Sequence, residues 1–233
     1  MPLYLTGGGD QQCFHSLDKL FAENMPHGAR ILAIPLAVDP EDYDDVLERA
    51  EDCFSSKKIE EIALCAEVDK LTEDELNEYD AVFIEGGNTF QLVKVVRQSP
   101  IFDLLDAFLA DGKSIYADSA GAIILGTSVK TAFLGEEADE DLNRLQDFRG
   151  LGLIEDWTVH CHYELDESDD LNSLLYDEGY PIICIPEPCA VFIDGDTLRV
   201  YGKGSVDLIT FTGQTSLKSG ESIELSKAIS AAS

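Results

Sequence analysis

Residues 116–125 read YADSAGAIIL, and this stretch decides the fold. An apolar run ends at Asp118, a serine follows, and small residues then open a second apolar run. This order is typical of a strand that turns sharply into a helix and carries a nucleophilic serine at the turn. A serine that only caps the helix would give the same pattern. The stretch by itself supports both interpretations equally.

The same alternation of strand and helix precedes this junction. Apolar strands are predicted at 3–6, 30–37, 59–67, 80–88 and 113–118, and helices at 16–24, 40–55, 72–79, 88–98, 101–110 and 120–125. Strands that alternate with helices predict an α/β fold with a mostly parallel central sheet flanked by helices. After residue 155 the strand candidates follow one another with short gaps, which predicts antiparallel strands added near the C-terminus.

The chain shows no linker composition and no internal repeat over its 233 residues. We therefore expect one domain over residues 1–233. The polar, acidic and poorly periodic segment 128–150 predicts a long surface excursion near Ser119. Residues 220–233 are expected to form a loosely held tail.

The chain is strongly acidic, with 46 Asp and Glu against 16 Lys and Arg and a net charge of −30. Nucleic acids and anionic membrane surfaces are recognised by basic patches, so neither is expected as a partner. No apolar stretch approaches the roughly 18 residues of a membrane helix, and no signal peptide is recognisable. Six cysteines without CxxC spacing predict reduced thiols and a cytoplasmic location.

In open parallel sheets, ligands bind beyond the carboxyl ends of the strands. Three small-residue segments fall there: 7–9, 86–88 and 118–121. Residues 7–12 read GGGDQQ, which matches no phosphate-binding motif, so a tight turn lining the cleft is favoured and no cofactor is predicted. Main-chain N–H groups at the glycines 86–87 and at the helix beginning at Ala120 could hold an oxyanion.

A nucleophilic serine needs a base, and the chain has four histidines. His15 and His27 flank the first helix and have the pattern of surface residues. His160 and His162 are two apart on one strand, so both are expected on one face, and His162 is favoured as the base. This pair could instead bind a metal, which is the less favoured interpretation. Glu187 ends an apolar run, where a carboxylate could orient the base.

These segments together resemble peptidase family S51, which includes dipeptidase E and cyanophycinase. The resemblance rests on GGNTFQL at 86–92, DSAGA at 118–122, HCHY at 160–163 and IPEPCAVFI at 185–193. It implies a three-layer sandwich like that of class I glutamine amidotransferases. It also implies Ser119 as nucleophile, His162 as base, the N–H groups of Gly87 and Ala120 as oxyanion hole, and Glu187 as third triad member. Gly86, Asn88 and His160 would bind substrate.

The sequence departs from this family in two places. Residues 130–137 read KTAFLGEE, with Leu134 near the position where the dipeptidases carry an Asp. Glu136, Glu137 or Asp139 could replace that Asp, although Glu187 is favoured.

The second departure follows the HCHY segment, where residues 164–179 contain no basic residue. The dipeptidases have arginines there that suit an acidic substrate. An anionic substrate would be repelled in this chain unless Lys130, Arg144 or Arg149 folds over the cleft, so aspartyl specificity is not expected.

We therefore expect a serine peptidase of the exopeptidase or dipeptidase type that hydrolyses an amide bond in small peptides through Ser119, His162 and Glu187. No metal or other cofactor is predicted, and a homodimer is left open. One alternative is a non-catalytic binding or regulatory protein on the same scaffold. A less favoured alternative is a metallohydrolase that uses His160 and His162.

Overall fold

An eight-stranded sheet forms the centre of the structure, a computed structural model that describes residues 1–9, 15–35 and 38–230. The strands are, in chain order, β1 (Pro2–Thr6), β2 (Ala29–Ile34), β3 (Ile59–Leu64), β4 (Ala81–Ile84), β5 (Ser114–Asp118), β6 (Thr158–Cys161), β7 (Ile182–Ile185), β8 (Cys189–Asp194), β9 (Thr197–Gly202), β10 (Ser205–Thr210), β11 (Gly213–Lys218) and β12 (Ser222–Glu224). The large sheet has the order β12-β9-β8-β1-β5-β4-β2-β3.

Eight α-helices are seen in the described residues. They are α1 (His15–Asn24), α2 (Tyr43–Cys53), α3 (Glu73–Leu76), α4 (Thr89–Arg97), α5 (Ile101–Ala110), α6 (Ala120–Leu125), α7 (Ser168–Glu178) and α8 (Leu225–Ser230). A 3₁₀ turn over Pro40–Asp42 precedes α2, and a capping box between Thr72 and Glu75 opens α3. None of these helices is long and apolar enough to cross a membrane.

The mostly parallel sheet confirms the predicted α/β fold. Strands β1, β5, β4, β2 and β3 pair in parallel, whereas β8, β9 and β12 are antiparallel additions at one side. In the register of β1 with β5, Thr6 lies opposite Asp118. The carboxyl ends of β1, β4 and β5 therefore meet at one edge, with the segments that begin at Gly7, Glu85 and Ser119.

Alternate residues of the central strands enter two separate buried clusters, as the pleat of a strand requires. Leu3, Leu5, Val82 and Ile84 pack with α4, α5 and α6, whereas Tyr4 and Phe83 pack with α1 and α2. Helices consequently cover both faces of the sheet. This arrangement is the three-layer sandwich that the resemblance implied.

A second sheet of four strands, in the order β11-β10-β7-β6, lies outside the predicted pattern. The sequence predicted antiparallel strands after residue 155, but β6 and β7 pair in parallel and α7 connects them. The sequence analysis missed α7, although its Leu171 and Leu175 are buried four residues apart and Gly179 ends it with a φ of 84°. The antiparallel expectation holds for β8 to β12.

The segment 128–150 is only partly a surface excursion. A 3₁₀ turn over Lys130–Phe133 buries Thr131 and Ala132. The following residues lie along α4, where Lys94 Nζ donates to Asn143 Oδ1 at 2.8 Å. The predicted strand 30–37 ends at Ile34, and its residues 36–37 lie outside the described residues.

Four of the cysteines and one histidine agree with the predictions. Cys53, Cys65, Cys161 and Cys184 are free thiols. His27 is exposed, as expected for a surface residue. Cys13 and the side chain of His15 lie outside the described residues.

The prediction of a loose tail over 220–233 is wrong for the residues through Ser230. Strand β12 pairs with β9, and Leu225 and Ala228 of α8 are buried against the main core. Ser226 N and Oγ both donate to the Asp196 carboxylate. Helix α8 has too few residues for the spacing of its apolar side chains to predict a helix. Residues 231–233 lie outside the described residues.

We expect Leu225→Ala to lower the free energy of unfolding by about 2 kcal/mol, because it leaves a cavity where α8 meets the core. Ile229→Ala is the matched control, since Ile229 lies on the same helix and is 37% exposed. Urea denaturation of both variants measures the difference. Equal stability of the two variants would show that α8 contributes no packing energy.

Candidate active site

Ser119 occupies a strained turn between β5 and α6. Its φ of 48° and ψ of −114° are rare for a residue with a side chain, and such strain costs roughly 1–3 kcal/mol. The Ser119 side chain makes no capping hydrogen bond to α6. Of the two interpretations of residues 116–125, the simple helix cap therefore does not describe this serine.

The small residues beside Ser119 allow backbone segments to approach closely. A Cβ at Gly121 would lie 2.5 Å from the Ile84 carbonyl oxygen, so α6 can pack on the end of β4 only with glycine there. A Cβ at Gly86 would lie 3.3 Å from Ser119 Cβ. The absence of a side chain at Gly86 therefore leaves open space beside Ser119.

His162 lies next to this hydroxyl. Its Nε2 is 2.7 Å from Ser119 Oγ, and its Nδ1 is 3.1 Å from Glu187 Oε1. Strand β6 ends one residue earlier, and His162 has a left-handed φ of 54°. The His162 N–H donates to the Gly7 carbonyl at 2.9 Å, which fixes the backbone in this unusual conformation. The three predicted residues thus form a continuous Ser–His–Glu chain of contacts.

The glycine triplet 7–9 makes space for two members of this chain. A Cβ at Gly8 would lie 2.1 Å from His162 Cε1, and a Cβ at Gly9 would lie 2.9 Å from Glu187 Oε2. Both glycines line the cleft, in agreement with the predicted role of this turn.

His160 has a different environment from His162. Its side chain is buried, and its Nε2 lies 2.8 Å from Glu167 Oε2. Burial raises the pKa of Glu167, but the hydrogen bonds from His160 and from the Glu164 N–H outweigh burial and lower it. Both histidines line the same cavity, as the sequence predicted. The reason given for that prediction, the alternation of side chains along one strand, does not apply to His162, because β6 ends at Cys161.

The two histidines do not form a metal-ligand cluster. Within the described ranges, no group of three His, Cys, Asp or Glu side chains is arranged to hold an ion. The ring nitrogens of His162 already contact Ser119 and Glu187, whereas His160 contacts Glu167.

Gly87 and Asn88 follow β4 at the cleft. Gly87 has a φ of 116°, a conformation that residues with side chains rarely adopt. The Asn88 side chain accepts a hydrogen bond from Gln91 N and so caps α4, and its Nδ2 donates to the Glu140 carbonyl. Gly86 and Gly87 are among the described residues that line the cavity, and Asn88 is not.

A cavity of about 320 Å³ opens above Ser119, between β4, β5, β6 and the segment 131–139. Four charged residues that were not selected from the sequence line it: Arg49, Glu85, Asp118 and Glu167. Arg49 forms an ion pair with the buried Glu85, and its Nη2 is 3.9 Å from Asp118 Oδ2. Thr6 Oγ1 donates a hydrogen bond to Asp118 Oδ1.

Asp118 is held in a mixed environment. Burial raises its pKa, while the Thr6 hydrogen bond and the charges of Arg49 and His162 oppose the rise. A charged residue that ends an apolar strand is costly unless it is paired, so Glu85 and Asp118 could have been selected from the sequence. Arg49 carries no such signal, because only the packing of α2 brings it to the cleft.

The basic residues proposed to cover the cleft lie elsewhere. Lys130 Nζ pairs with Glu178 at 2.5 Å, and Arg149 pairs with Asp147 at 2.7 Å. Neither residue, nor Arg144, is among the described residues that line the cavity.

Three carboxylates were alternatives to Glu187 as the third triad member. One of them, Asp139, accepts a hydrogen bond from Thr89 N at the start of α4, at 2.8 Å. Glu137 lines the cavity, and Glu136 is exposed and is not among the described residues that do so. The carboxylate in contact with His162 is Glu187.

Comparison with known proteins identifies the family of this chain. The sequence model of peptidase family S51 matches residues 3–201. Peptidase E of Streptomyces coelicolor is 25% identical over 200 residues, which cover 81% of this chain and 77% of that protein. Peptidase E of Shewanella denitrificans is 28% identical over 137 residues, which cover 54% of this chain and about half, 56%, of that protein.

Among solved structures, a peptidase from an acI-B1 Actinobacterium superimposes with a TM-score of 0.71 at 20% identity, covering 96% of each chain. At that identity the likeness supports the fold alone. The match to the family model spans nearly all of the strands that carry the cleft, from β1 to β9. The chain therefore belongs to peptidase family S51 and is a serine-type peptidase.

Proposed function

We propose that the protein hydrolyses an amide bond in small peptides, with Ser119 as nucleophile, His162 as general base and Glu187 as the residue that orients His162. The observation that carries this proposal is the contact of 2.7 Å between Ser119 Oγ and His162 Nε2, continued by 3.1 Å from His162 Nδ1 to Glu187 Oε1. These distances are within hydrogen-bond reach, which proton transfer requires.

The proposed reaction has two stages. His162 Nε2 takes the proton of the Ser119 hydroxyl as Oγ bonds to the substrate carbonyl carbon, and the carbonyl oxygen becomes an oxyanion. The C–N bond then breaks, and the imidazolium gives its proton to the leaving amine. The same imidazole next deprotonates a water molecule, which attacks the acyl-enzyme carbonyl. The ester C–O bond then breaks, the imidazolium returns its proton to Ser119 Oγ, and the acid is released.

Two main-chain N–H groups are proposed to stabilise the oxyanion. Ala120 is the first residue of α6, so its N–H has no acceptor within the helix. The left-handed φ of Gly87 turns the neighbouring peptide units in a way open mainly to glycine. Loss of one such donor typically lowers the rate by about 100- to 1000-fold.

The geometry favours this function over the two alternatives. A non-catalytic binding protein would have no need for a strained Ser119 whose hydroxyl contacts a histidine. A metallohydrolase would need free ring nitrogens, but both nitrogens of His162 have partners in the chain. The cavity of about 320 Å³ is at the small end of ligand sites, which supports a short peptide as substrate.

We expect a fluorophosphonate probe to label the wild-type protein covalently and to leave Ser119→Ala unlabelled. Mass spectrometry of the labelled peptide locates the adduct. Ser173→Ala is the control, because Ser173 is exposed on α7 and its substitution leaves the cleft intact. An adduct that persists in Ser119→Ala would rule out Ser119 as the nucleophile.

We expect Glu187→Gln to slow labelling about 10- to 100-fold, because the side chain keeps its shape but no longer stabilises the imidazolium. The effect should be smaller than for a buried carboxylate, since Glu187 is 52% exposed. Glu136→Gln, which changes one of the alternative candidates for the third triad member, should be labelled at the wild-type rate. If Glu136→Gln is instead labelled more slowly than Glu187→Gln, the third triad member lies in residues 136–139.

Gly8→Ala should slow labelling at least about 100-fold, since its methyl group would displace the His162 ring. Gly112→Ala separates this clash from backbone strain. Gly112 has a similar φ, 81° against 87°, but a Cβ there meets nothing within 4 Å. Comparable labelling rates for the two alanine variants would show that the turn 7–9 does not position His162.

A further inference from the structure

The cavity beside Ser119 is lined mainly by acidic groups. Five carboxylates face it, namely Glu85, Asp118, Glu137, Asp139 and Glu167. Among the described lining residues, Arg49 is the one with a basic side chain other than the histidines. The formal charge of this wall is therefore about −4 with the carboxylates ionised.

Most of these carboxylates have partners within the chain. Glu85 pairs with Arg49, Glu167 contacts His160, and Asp139 accepts hydrogen bonds from the start of α4. Only one of the two carboxylate oxygens of Asp118 has a hydrogen-bond partner. Its Oδ1 accepts from Thr6, but its Oδ2 is 3.9 Å from Arg49, which is beyond hydrogen-bond distance.

Two buried acceptors in the same wall provide an independent indication of a ligand. Glu85 and His160 are each 2% exposed, and Glu85 Oε2 and His160 Nδ1 have no hydrogen-bond partner among the described residues. His160 Nε2 contacts a carboxylate, so the ring proton belongs on Nε2 and Nδ1 is an acceptor. Both atoms lie behind the cavity surface, so they add to the excess of acceptors over donors in this wall, and such an excess favours a ligand that donates hydrogen bonds.

The free Asp118 oxygen lies beside the proposed reaction centre. A Cβ at Gly86 would be 3.5 Å from Asp118 Oδ2 and 3.3 Å from Ser119 Cβ, so the open space at Gly86 borders both groups. A group bound to Asp118 Oδ2 would therefore sit next to the bond that Ser119 attacks.

We propose that the cavity binds a positively charged nitrogen group of the peptide, an ammonium or a guanidinium, with the Asp118 carboxylate as its main contact. This inference rests on the proposed function, since it assigns the substrate class of the same site. Arg49 neutralises Glu85, so the attraction is centred on Asp118 and on the exposed Glu137 at the rim. The group comes either from the free N-terminus or from a basic side chain, and an acidic residue at this position is repelled.

Peptide binding to Ser119→Ala, measured by isothermal titration calorimetry, tests the proposal without requiring hydrolysis. The peptides are Lys-Ala, norleucyl-Ala, Asp-Ala, and the N-acetyl forms of Lys-Ala and norleucyl-Ala. We expect removal of the relevant positive charge to weaken binding on the order of 10- to 100-fold. A loss on acetylation assigns the N-terminal ammonium, and a loss on replacing Lys by norleucine assigns the side chain.

The same titrations can overturn the proposal. It fails if acetyl-norleucyl-Ala binds as tightly as Lys-Ala, if Asp-Ala does so when the acetylated peptides have assigned the side chain, or if no peptide binds. If the peptides bind with the expected preference but Ser119 is not labelled in the wild type, the proposed triad is wrong and the proposed subsite stands. If peptides are hydrolysed without any preference for charge, the proposed subsite is wrong and the proposed triad stands.

In the Ser119→Ala background, Asp118→Asn should reduce the preference for the charged peptide about 10-fold and leave the affinity for acetyl-norleucyl-Ala unchanged. Asp169→Asn, an exposed carboxylate on α7, is the matched control and should change neither affinity. A preference that survives Asp118→Asn overturns the assignment to Asp118.

If Asp118→Asn does not fold, salt dependence replaces it. Raising KCl from about 0.05 to 0.5 M should weaken Lys-Ala binding several-fold and should not weaken the binding of acetyl-norleucyl-Ala, which has no positive charge. Equal salt dependence of the two peptides contradicts an electrostatic subsite.

Discussion

Two consecutive main-chain carbonyl groups at the end of β1 bind the backbones of Ser119 and His162. The Thr6 carbonyl accepts a hydrogen bond from Ser119 N at 3.3 Å, and the Gly7 carbonyl accepts one from His162 N at 2.9 Å. Ser119 and His162 are far apart in the sequence, and both have left-handed φ values. Because neighbouring atoms of a single strand end anchor both backbones, the distance between Oγ and Nε2 is set by the sheet and not by a mobile loop.

The parallel pairing of β1 with β5 is what makes this anchoring available. It brings Thr6 opposite Asp118 and so places the first carbonyl beside Ser119. The strain at Ser119 and His162, roughly 1–3 kcal/mol for each residue, persists only where surrounding structure fixes the backbone. The buried strands on either side supply that support, and the glycines at 7–9 leave the space into which the His162 ring fits. A strained but fixed pair of side chains requires little rearrangement when substrate binds.

The sequence was informative wherever function and fold share a local pattern. Ser119 and Gly86 could be selected because each follows an apolar strand, and the ends of parallel strands lie at one edge. Glu187 could be selected because it ends an apolar run, where a charge is costly unless it is used. His162 could be selected because few histidines exist, although the strand alternation used for it does not extend to that residue. Arg49 could not be found, since its place depends on how α2 packs against the sheet.

The helices α7 and α8, which were not predicted from the sequence, differ in how much signal they carry. Helix α7 carried readable signals in Leu171, Leu175 and Gly179, but the acidic composition around them obscured the apolar spacing. Helix α8 carries two buried apolar residues, Leu225 and Ala228, and its position depends on the pairing of β12 with β9. A short apolar pattern of this kind cannot distinguish a packed end from a loose one.

A carboxylate beside the nucleophile has a cost for the proposed reaction. The oxyanion that forms on attack is negative, and Asp118 precedes Ser119 directly. For scale, two negative charges about 6 Å apart at an effective dielectric constant of about 20 repel by roughly 3 kcal/mol, so a carboxylate close to the oxyanion raises the barrier. Arg49 is already paired with Glu85, so it offsets only part of this repulsion.

A positively charged substrate group at Asp118 would offset the remainder. The charge that favours binding would then also lower the energy of the transition state, because it removes a repulsion that grows as the oxyanion forms. A neutral peptide would leave Asp118 uncompensated and would react slowly even when bound. In this chain, recognition of charge and stabilisation of the oxyanion are therefore coupled through a single carboxylate.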